Sequence, residues 1–483
     1  MQNAIVVLSR SRDLAGLVAR TLRCREIYCL PVAFDTPASE AENLSAQGLI
    51  LASDSYEPGA LEGLDPAWLS GAVPVLALGG AAAALCSHLG GTADPAVCER
   101  SAITLELNDE RLFADISAGE RMLHGCSTLT LPAELCPIAT ATQQVIGFRH
   151  DTLPLYGMQY PVERNDPDAA QLLENFAAGI CGMKAQWTED AIIDQAVDKI
   201  RLGAPEGKVL CAVSGGVDSA VCARLASMAV GDRLLCVFFD TGLFRNREPE
   251  SVIRTFRESM GIEVELVDAH ESFLRALSGV TRPQDKERIA TQLMRQMLIK
   301  RFSNDPDIQS VVLGTNFNDT FLSPAQPEEI SAGSRAMGVC EPIHALFNDE
   351  VRRLASALSL PASITGRQPF PSSGLALRVM SNVTEEKLQL LREADAIFRE
   401  EITSGGLDRR LWQFYATLIE SPDAPESFAI CLRATQAAQG GALAARLPYD
   451  LMERTAERIR DEVARVTRVV YDLTPSVHYG ELE

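Results

Sequence analysis

The chain has 483 residues, enough for about three domains of ordinary size. Its formal charge of −21 argues against a nucleic-acid partner, because binding to a phosphate backbone depends largely on Lys and Arg. No apolar run approaches the roughly 20 residues that a bilayer-spanning helix needs, so we expect no membrane association.

The N-terminal part alternates short apolar runs with segments of helical length. This alternation is typical of an α/β domain with a parallel sheet. The first run follows no basic residues, so we interpret it as a strand and not as a signal peptide, and we expect a cytoplasmic protein. The first domain is predicted to cover residues 1–187. Its predicted strands are 4–8, 48–51, 73–78 and 155–160, and its last helix is 168–181.

Two further domains are predicted, at residues 188–372 and 373–483. A linker helix at 188–202, for which Thr188 is a candidate cap, precedes a second α/β unit. The C-terminal part alternates helices with strand-like runs, which indicates a small α+β domain. The strands predicted for the second domain are 209–213, 234–239 and, as the last, 310–313, with a helix at 219–229. The C-terminal helices are 384–401 and 448–466, and the strands are 428–434 and 468–473.

The twelve cysteines are scattered along the chain, with no CxxC pair and no His/Cys ligand spacing. Most have apolar neighbours, where a thiol behaves as a small hydrophobic group. We therefore expect reduced, buried thiols and neither a disulfide framework nor a zinc site.

The most informative segment, which we call the PP loop, runs directly from a buried strand into a helix. Its two glycines allow a tight turn and close approach of the backbone to a ligand, and the N-terminus of the helix favours an anion. No lysine follows the glycines, so the segment is not a Walker A motif. For a bare Ser-Gly-Gly, a turn that merely needs small residues is the simpler alternative. The loop consists of Ser214, Gly215, Gly216, Val217, Asp218 and Ser219.

The complete run resembles the pyrophosphate loop of the ATP-pyrophosphatases, which split ATP into AMP and pyrophosphate while adenylating an acceptor oxygen. Further segments resemble the GMP synthase family in chain order: 239–245, 313–319, 369–378 and 445–450. The resemblance spans nearly the whole chain. It implies an amidotransferase-like domain of flavodoxin type, an adenine-nucleotide α-hydrolase-like (PP-loop) domain and a small α+β dimerisation domain, and hence a homodimer.

The resemblance also implies ATP and Mg²⁺ as cofactors. ATP would contact the whole PP loop together with Asp240, Gly314 and Asp319. Ser214, Asp218 and Ser219 would be catalytic, with Asp218 near the metal. Asp218 could instead cap the following helix, a role that its position also permits.

The glutamine-hydrolysing site of the family has lost its reactive groups in this sequence. Such a site needs a Cys nucleophile on a strand-to-helix elbow, a His base and donors for the oxyanion. Gly79 stands in place of the Cys and Pro161 in place of the His, which leaves only the orienting acid, Glu163. Asp54 adds a carboxylate beside the oxyanion position, and Cys86 is interpreted as a core thiol. We expect no glutaminase activity, so ammonia would come from solution or from a separate glutaminase.

The pocket for the acceptor, xanthosine monophosphate (XMP) in the family, also differs. The C-terminal tail lacks the family's lysine and keeps only an acidic pattern that includes Glu481, and the segment after Asp319 is shorter. Arg378 and Arg446 lie in segments that resemble the family and are predicted to bind the substrate. The other phosphate-binding candidates, each with an alternative role as a surface or ion-pair residue, are Arg367, Arg433, His478 and Tyr479.

Three functions remain open at this point. The first is an ammonia-dependent ligase of the GMP synthase type. The second is a diverged paralogue that adenylates another acceptor, which the altered tail and shortened segment favour. The third is a nucleotide-binding regulatory protein without turnover, against which the retention of the complete PP loop counts.

Overall fold

The computed structural model describes two compact units, Met1–Ile192 and Ile193–Glu483. In the part of the chain that it describes, no helix is both long and apolar enough to cross a bilayer. The predicted site residues Pro161, Asp319 and Glu481, with His478 and Tyr479, lie outside the described residues. Those outside are 1, 57–58, 97–100, 124–125, 143, 161, 164–165, 318–330, 333–334, 337, 369, 372, 422–425, 439–440 and 475–483.

The first unit contains a nine-stranded mixed sheet of order β2-β1-β3-β4-β11-β10-β9-β6-β7. Its first five strands in this order are parallel. The parallel strands are β1 (Ala4–Leu8), β2 (Cys29–Val32), β3 (Ala46–Ser53), β4 (Val75–Gly79) and β11 (Leu155–Met158). The others are β6 (Ser101–Leu107), β7 (Gly119–Leu123), β9 (Leu135–Ala141) and β10 (Gln144–His150), and β5 (Thr92–Ala96) pairs separately with β8 (Cys126–Thr130).

The parallel sheet predicted for this unit is present as its first five strands, and β10, β9, β6 and β7 extend it in antiparallel pairing, which the sequence analysis did not predict. β9 and β10 contain exposed and partly exposed positions as well as buried ones. Antiparallel strands tolerate such exposure, whereas β1 and β4 are buried at every position, as parallel strands between helices are. The helices are α1 (Arg12–Arg23), α2 (Gly80–His88) and α3 (Pro167–Glu174), the last continued by a π-helical turn at Asn175–Ile180.

The second unit is built on a five-stranded parallel sheet of order β14-β13-β12-β15-β18. The chain leaves β12 towards β14 on one side and returns to β15 on the other, so the strand order reverses next to β12. Ligands bind in the crevice at the carboxyl ends of the strands at such a reversal. The strands are β12 (Lys208–Ala212), β13 (Leu234–Asp240), β14 (Val264–Asp268), β15 (Ile308–Val312) and β18 (Gly338–Cys340), with a separate pair formed by β16 (Ser331–Ala332) and β17 (Arg335–Ala336).

The strand predicted at 310–313 exists as β15 but is not the last of its sheet, because β18 adds beyond it. β18 has only three residues, too few to show a pattern in the sequence. The predicted cap at Thr188 is confirmed, since its Oγ1 accepts a hydrogen bond of 3.3 Å from the Ala191 amide. The helices are α4 (Glu189–Gly203), α5 (Val217–Val230), α6 (Glu248–Thr255), α7 (His270–Leu277), α8 (Pro283–Asn304), α9 (Asn348–Ala357) and α10 (Ala362–Thr365).

The C-terminal part is the predicted α+β arrangement, a sheet covered by two helices. Its core also takes in Leu243, Phe273 and Leu277 from the α/β part of the unit, so the two parts pack together. The buried ammonium of Lys286 on α8 donates hydrogen bonds to the carbonyls of Ala376 (3.1 Å), Val379 (2.5 Å) and Ser381 (2.7 Å), which fastens the connecting segment. The elements are α11 (Glu385–Ser404), β19 (Gln413–Glu420), β20 (Phe428–Ala438), β21 (Gly441–Ala444), α12 (Tyr449–Glu462) and β22 (Val466–Tyr471).

Candidate active site

The PP loop lies at the carboxyl end of β12, in the crevice where the strand order reverses. Two hydroxyl groups close it: the Oγ atoms of Ser214 and Ser219 lie 3.2 Å apart, and Ser219 Oγ accepts a hydrogen bond of 3.2 Å from the Ser214 amide. The Gly216 amide donates to Ser214 Oγ at 3.3 Å. Gly216 is the N-cap residue of α5 and, as a glycine, provides no side-chain cap for that helix. The arrangement therefore presents the positive end of a 14-residue helix at the crevice.

Glycine is required at position 215 for two reasons. Its φ of +78° lies in the left-handed region, which side chains other than glycine rarely adopt. A Cβ atom there would also overlap the guanidinium of Arg367 and the side chain of Val252. The tight turn predicted from the two glycines is present at Gly215, and the crowding there comes from a helix and a loop that are distant in sequence.

The loop after β15 packs against the start of α5. A Cβ atom on Gly314 would lie 3.2 Å from the Ser219 amide nitrogen, so the two backbones approach closely. The Asn316 amide donates to Asp218 Oδ1 at 3.4 Å and to Asn348 Oδ1 at 2.8 Å, which orients the Asp218 carboxylate. Gly314 and Asp218, both predicted as ATP-binding residues, thus meet across the crevice.

Asp240 ends β13, the neighbouring strand. Its Oδ1 accepts a hydrogen bond of 3.0 Å from the Gly242 amide, so the carboxylate shapes the turn that leads to Arg245. Asp240 therefore lies at the same edge of the sheet as the PP loop, as the parallel strand order requires.

The two arginines predicted to bind the acceptor differ in environment. Arg378 is only 4 % exposed, and its guanidinium stacks 4.2 Å from the ring centroid of Tyr415, with Nη1 at 3.7 Å from Asp395 Oδ1. Arg446 is exposed in the loop between β21 and α12. Arg433 is also buried, where Nη1 donates to Asp472 Oδ2 at 2.7 Å, so the structure assigns it the ion-pair role.

Sequence reasoning missed Arg245 as a candidate. It follows β13, and its guanidinium lies 4.2 Å from the ring centroid of Phe370. Its Nε is 3.3 Å from Asp395 Oδ2 and its Nη1 is 3.7 Å from Glu248 Oε1, but neither the buried Nε nor the buried Nη2 forms a hydrogen bond with a described residue. A buried donor left without a partner costs stability unless a ligand satisfies it.

Arg245 belongs to a group that we call the arginine cluster: Arg245, Arg367, Arg378 and Arg399. Burial lowers the pKa of Arg245, and burial with the charges of Arg245 and Arg399 lowers the pKa of Arg367 to about 10. Among the described residues, the carboxylates of Asp395 and Glu248 form ion pairs with Arg245, Arg367 and Arg378. Four largely buried guanidinium groups thus lie around two carboxylates, with Arg367 in contact with the PP loop, an environment that favours an anionic ligand.

In the first unit, the turn from β4 into α2 keeps the shape of a strand-to-helix elbow. Gly79 has φ +63° and ψ −130°, a strained conformation that costs a side chain of the order of 1–3 kcal/mol. The loop after β3 lies directly on this elbow: a Cβ atom on Gly79 would overlap the Ser53 carbonyl, and one on Gly80 would overlap the Ser55 carbonyl. The elbow therefore has no room for a nucleophile in this structure.

Near the predicted glutaminase residues, a buried side chain connects two strands. Gln159, which follows β11, accepts a hydrogen bond of 2.8 Å from the Ser127 amide through its Oε1 and donates one of 3.0 Å to the Ser127 carbonyl through its Nε2, which joins the end of β11 to β8. Cys86 is fully buried, and burial raises the pKa of its thiol, so the expectation of a core thiol is confirmed. Glu163 lies among the described residues, whereas Pro161, which stands in place of the His base, lies outside them.

Comparisons with known proteins place the chain in a family. Residues 190–406 match the NAD synthase family model and residues 400–477 match the model of the GMP synthase C terminal domain. A GMP synthase [glutamine-hydrolyzing] of Geobacillus kaustophilus (strain HTA426) is 35 % identical over 499 residues, which cover 98 % of both chains. The protein of the same name from Carboxydothermus hydrogenoformans (strain ATCC BAA-161 / DSM 6008 / Z-2901) is 34 % identical over 500 residues, again 98 % of both chains.

The chain belongs to the GMP synthase family. This membership confirms the resemblance seen in the sequence and the predicted class, an ATP-using ligase of the PP-loop type with mixed α/β architecture. In this member of the GMP synthase family, the structure brings the PP loop, Gly314 and Arg367 together at the carboxyl edge of the parallel sheet.

Proposed function

We propose that this member of the GMP synthase family adenylates a carbonyl oxygen of a purine nucleotide such as XMP and aminates it with ammonia. The reaction would release AMP and pyrophosphate, and the chain would have no glutaminase activity of its own. The observation that carries the proposal is the PP loop, closed by Ser214 and Ser219 over an uncapped helix N-terminus. In the proposed arrangement, the loop binds the β- and γ-phosphates and presents the α-phosphate to the acceptor oxygen.

The residues of the crevice fit ATP and Mg²⁺. Among the described residues, only Ser214 Oγ lies within 4 Å of the Cβ position of Gly216, at 3.4 Å, so the concave side of the loop can admit a phosphate. Mg²⁺ in such sites uses one or two carboxylates together with substrate phosphates, which agrees with Asp218 as a single acidic ligand. Among the described residues no group of three or more His, Cys, Asp or Glu could hold a metal alone. Bound Mg²⁺ would neutralise charge on the phosphates.

The arginine cluster supports an acceptor that carries a phosphate. Arg245 Nη2 is a buried donor without a hydrogen-bond partner among the described residues, and Asp395 lies between Arg245 and Arg378. In the proposed complex, the acceptor phosphate binds Arg245 and is further stabilised by the charges of the other arginines of the cluster. Arg446 and Glu481 remain predicted substrate ligands.

The absence of glutaminase activity is supported by the elbow. Gly79 has no nucleophilic side chain, and the β3 loop covers the position that one would need. Ammonia would then enter from solution or from a separate glutaminase.

A homodimer is also part of the proposal. Several large apolar side chains of the C-terminal part are exposed, which is typical of a surface that a second copy covers. These are Leu443 (54 %), Tyr449 (71 %), Val470 (37 %) and Leu473 (72 %). Sedimentation velocity tests the homodimer: a monomer at micromolar concentration would contradict it.

The division of the chain into three domains, with boundaries at 187/188 and 372/373, is also part of the proposal.

Pyrophosphate release tests the function. The protein is incubated with ATP-Mg²⁺ and ammonium, with and without XMP, and with glutamine in place of ammonium. We expect release only with XMP and ammonium, with GMP formed, and none from Asp218→Ala. ATP binding without any response to XMP would redirect the search to another acceptor, and failure to bind ATP would sink the proposal.

A further inference from the structure

Arg367 lies outside the PP loop in sequence but contacts it in the structure. It follows α10, and its side chain is largely buried, with 17 % exposed. Its Nη1 donates a hydrogen bond to the Gly215 carbonyl and its Nη2 pairs with the Glu248 carboxylate. The guanidinium therefore bridges the loop and the first turn of α6.

The contact with Gly215 controls the direction of one amide. In a trans peptide the carbonyl and the following N–H point to opposite sides. Holding the Gly215 carbonyl on the side of Arg367 therefore turns the Gly216 N–H the other way, towards Ser214 Oγ at 3.3 Å and the crevice. Glycine at 215 can also populate other backbone conformations, so this peptide would reorient easily without an external hydrogen bond.

Glu248 connects this arrangement to the acceptor side. Its Oε1 accepts from Arg367, and its Oε2 accepts a hydrogen bond of 2.8 Å from the Arg245 backbone amide. One carboxylate thus fixes both the guanidinium that holds the PP loop and the turn that carries Arg245. Burial lowers the pKa of Arg367, because removing its charge from water costs free energy. A contact at the surface that served only to support the fold would avoid this desolvation cost.

We propose that Arg367 is a positioning residue for ATP, which orients the Gly215–Gly216 peptide so that its amide faces the pyrophosphate, and that Glu248 couples this orientation to the acceptor site. Arg367 itself touches neither the phosphates nor the reacting atoms. The inference rests on the proposed function, because it assumes that the PP loop binds the phosphates of ATP.

The test compares variants of the full chain by calorimetric titration with ATP-Mg²⁺ and with XMP, and by thermal unfolding. Arg367→Gln removes the charge, whereas Arg367→Lys keeps the charge but cannot bond the Gly215 carbonyl and Glu248 in the same two-pronged way. Glu248→Gln weakens the contacts that Glu248 makes with the Arg367 guanidinium and with the Arg245 amide. Arg233→Lys is the matched control. The Arg233 guanidinium also binds loop carbonyls, those of Ala204 at 3.1 Å and Gly207 at 2.8 Å, but at the amino end of the same sheet.

We expect Arg367→Gln to weaken ATP binding about tenfold or more, as loss of a charge-assisted contact does, and to weaken XMP binding several-fold less, because Arg367 contributes only its charge to the acceptor site. Arg367→Lys should recover part of this loss. Glu248→Gln should weaken both ligands, and Arg233→Lys neither. If Arg367→Gln does not fold, Arg367→Lys provides the test: its affinity for ATP should fall more than its affinity for XMP.

Two results would overturn the inference. One is wild-type affinity for ATP in Arg367→Gln; the other is an equal loss for both ligands that follows only the fall in unfolding temperature, as in a structural role. Failure of the wild type to bind ATP would instead refute the proposed function, before any variant is compared. If wild type binds ATP but not XMP, the ATP titrations alone decide the role of Arg367.

Discussion

Replacing Gly215 by Ala should abolish most ATP binding through backbone strain and crowding. With φ at +78°, a side chain at 215 costs about 1–2 kcal/mol in the left-handed region. The new Cβ also overlaps Arg367 and Val252, and overpacking of this kind typically costs about 1–3 kcal/mol. The loop can escape both costs by changing conformation, but it then loses the proposed phosphate-binding shape.

The expected effect follows from these costs. If binding must restore the native loop, about 2–5 kcal/mol is subtracted from the binding free energy, which corresponds to a loss of roughly 30-fold to several thousand-fold in affinity. The assay is titration of the full chain with ATP-Mg²⁺. The global fold should survive, because the loop can relax at the crevice.

Gly261→Ala provides a matched control. Gly261 has φ +67°, also left-handed, but nothing lies within 4 Å of its Cβ position, and it follows α6 away from the PP loop. It should cost about 1 kcal/mol of stability and leave ATP affinity unchanged. ATP binding by Gly215→Ala with wild-type affinity would refute the assignment of this loop as the phosphate site.

Three further predictions concern the acceptor site, the elbow and the buried lysine. Arg245→Gln should weaken XMP binding at least tenfold while ATP binding stays within twofold; the reverse pattern in titrations would contradict the anion site. Gly79→Cys, alone or with Pro161→His, should release no glutamate from glutamine, because the Ser53 carbonyl occupies the elbow; measurable turnover would show that the loop moves away. Burial lowers the pKa of Lys286 to about 8, so the unfolded chain binds more protons between pH 8 and its ordinary value near 10.5. The stability of the wild type relative to Lys286→Met should therefore rise over that window, by at most about 1.4 kcal/mol per pH unit in urea unfolding, and a flat difference would refute the assignment.

The PP loop could be predicted from sequence because its determinants are local. A buried strand, two glycines and a helix start follow one another within residues 209–219, and the structure keeps that order as β12, loop and α5. The central strands of both sheets are recognisable for the same reason, since their continuous apolar runs reflect burial on both faces.

The arginine cluster could not be predicted in this way. Arg245, Arg367 and Arg399 are separated by more than thirty positions along the chain, and only the packing of α6 and α11 brings them together. A single arginine in a sequence has no feature that distinguishes a buried ligand-binding role from a surface role.

The closed elbow lay beyond sequence reasoning as well. The substitution at Gly79 predicted the loss of the nucleophile, but the position of the Ser53–Ser55 backbone depends on how the loop after β3 folds. The sequence therefore predicted missing chemical groups, and the structure adds that the space for them is filled.

The transfer of oxygen tests the central claim most directly. The full chain is supplied with ATP-Mg²⁺, ammonium and XMP labelled with ¹⁸O at the 2-oxo group, and AMP is analysed by mass spectrometry. Adenylation of the acceptor predicts one ¹⁸O in the phosphoryl group of each AMP, with one GMP formed. Unlabelled AMP alongside GMP, or turnover that yields ADP and phosphate, would contradict an adenylated intermediate and with it the proposed mechanism.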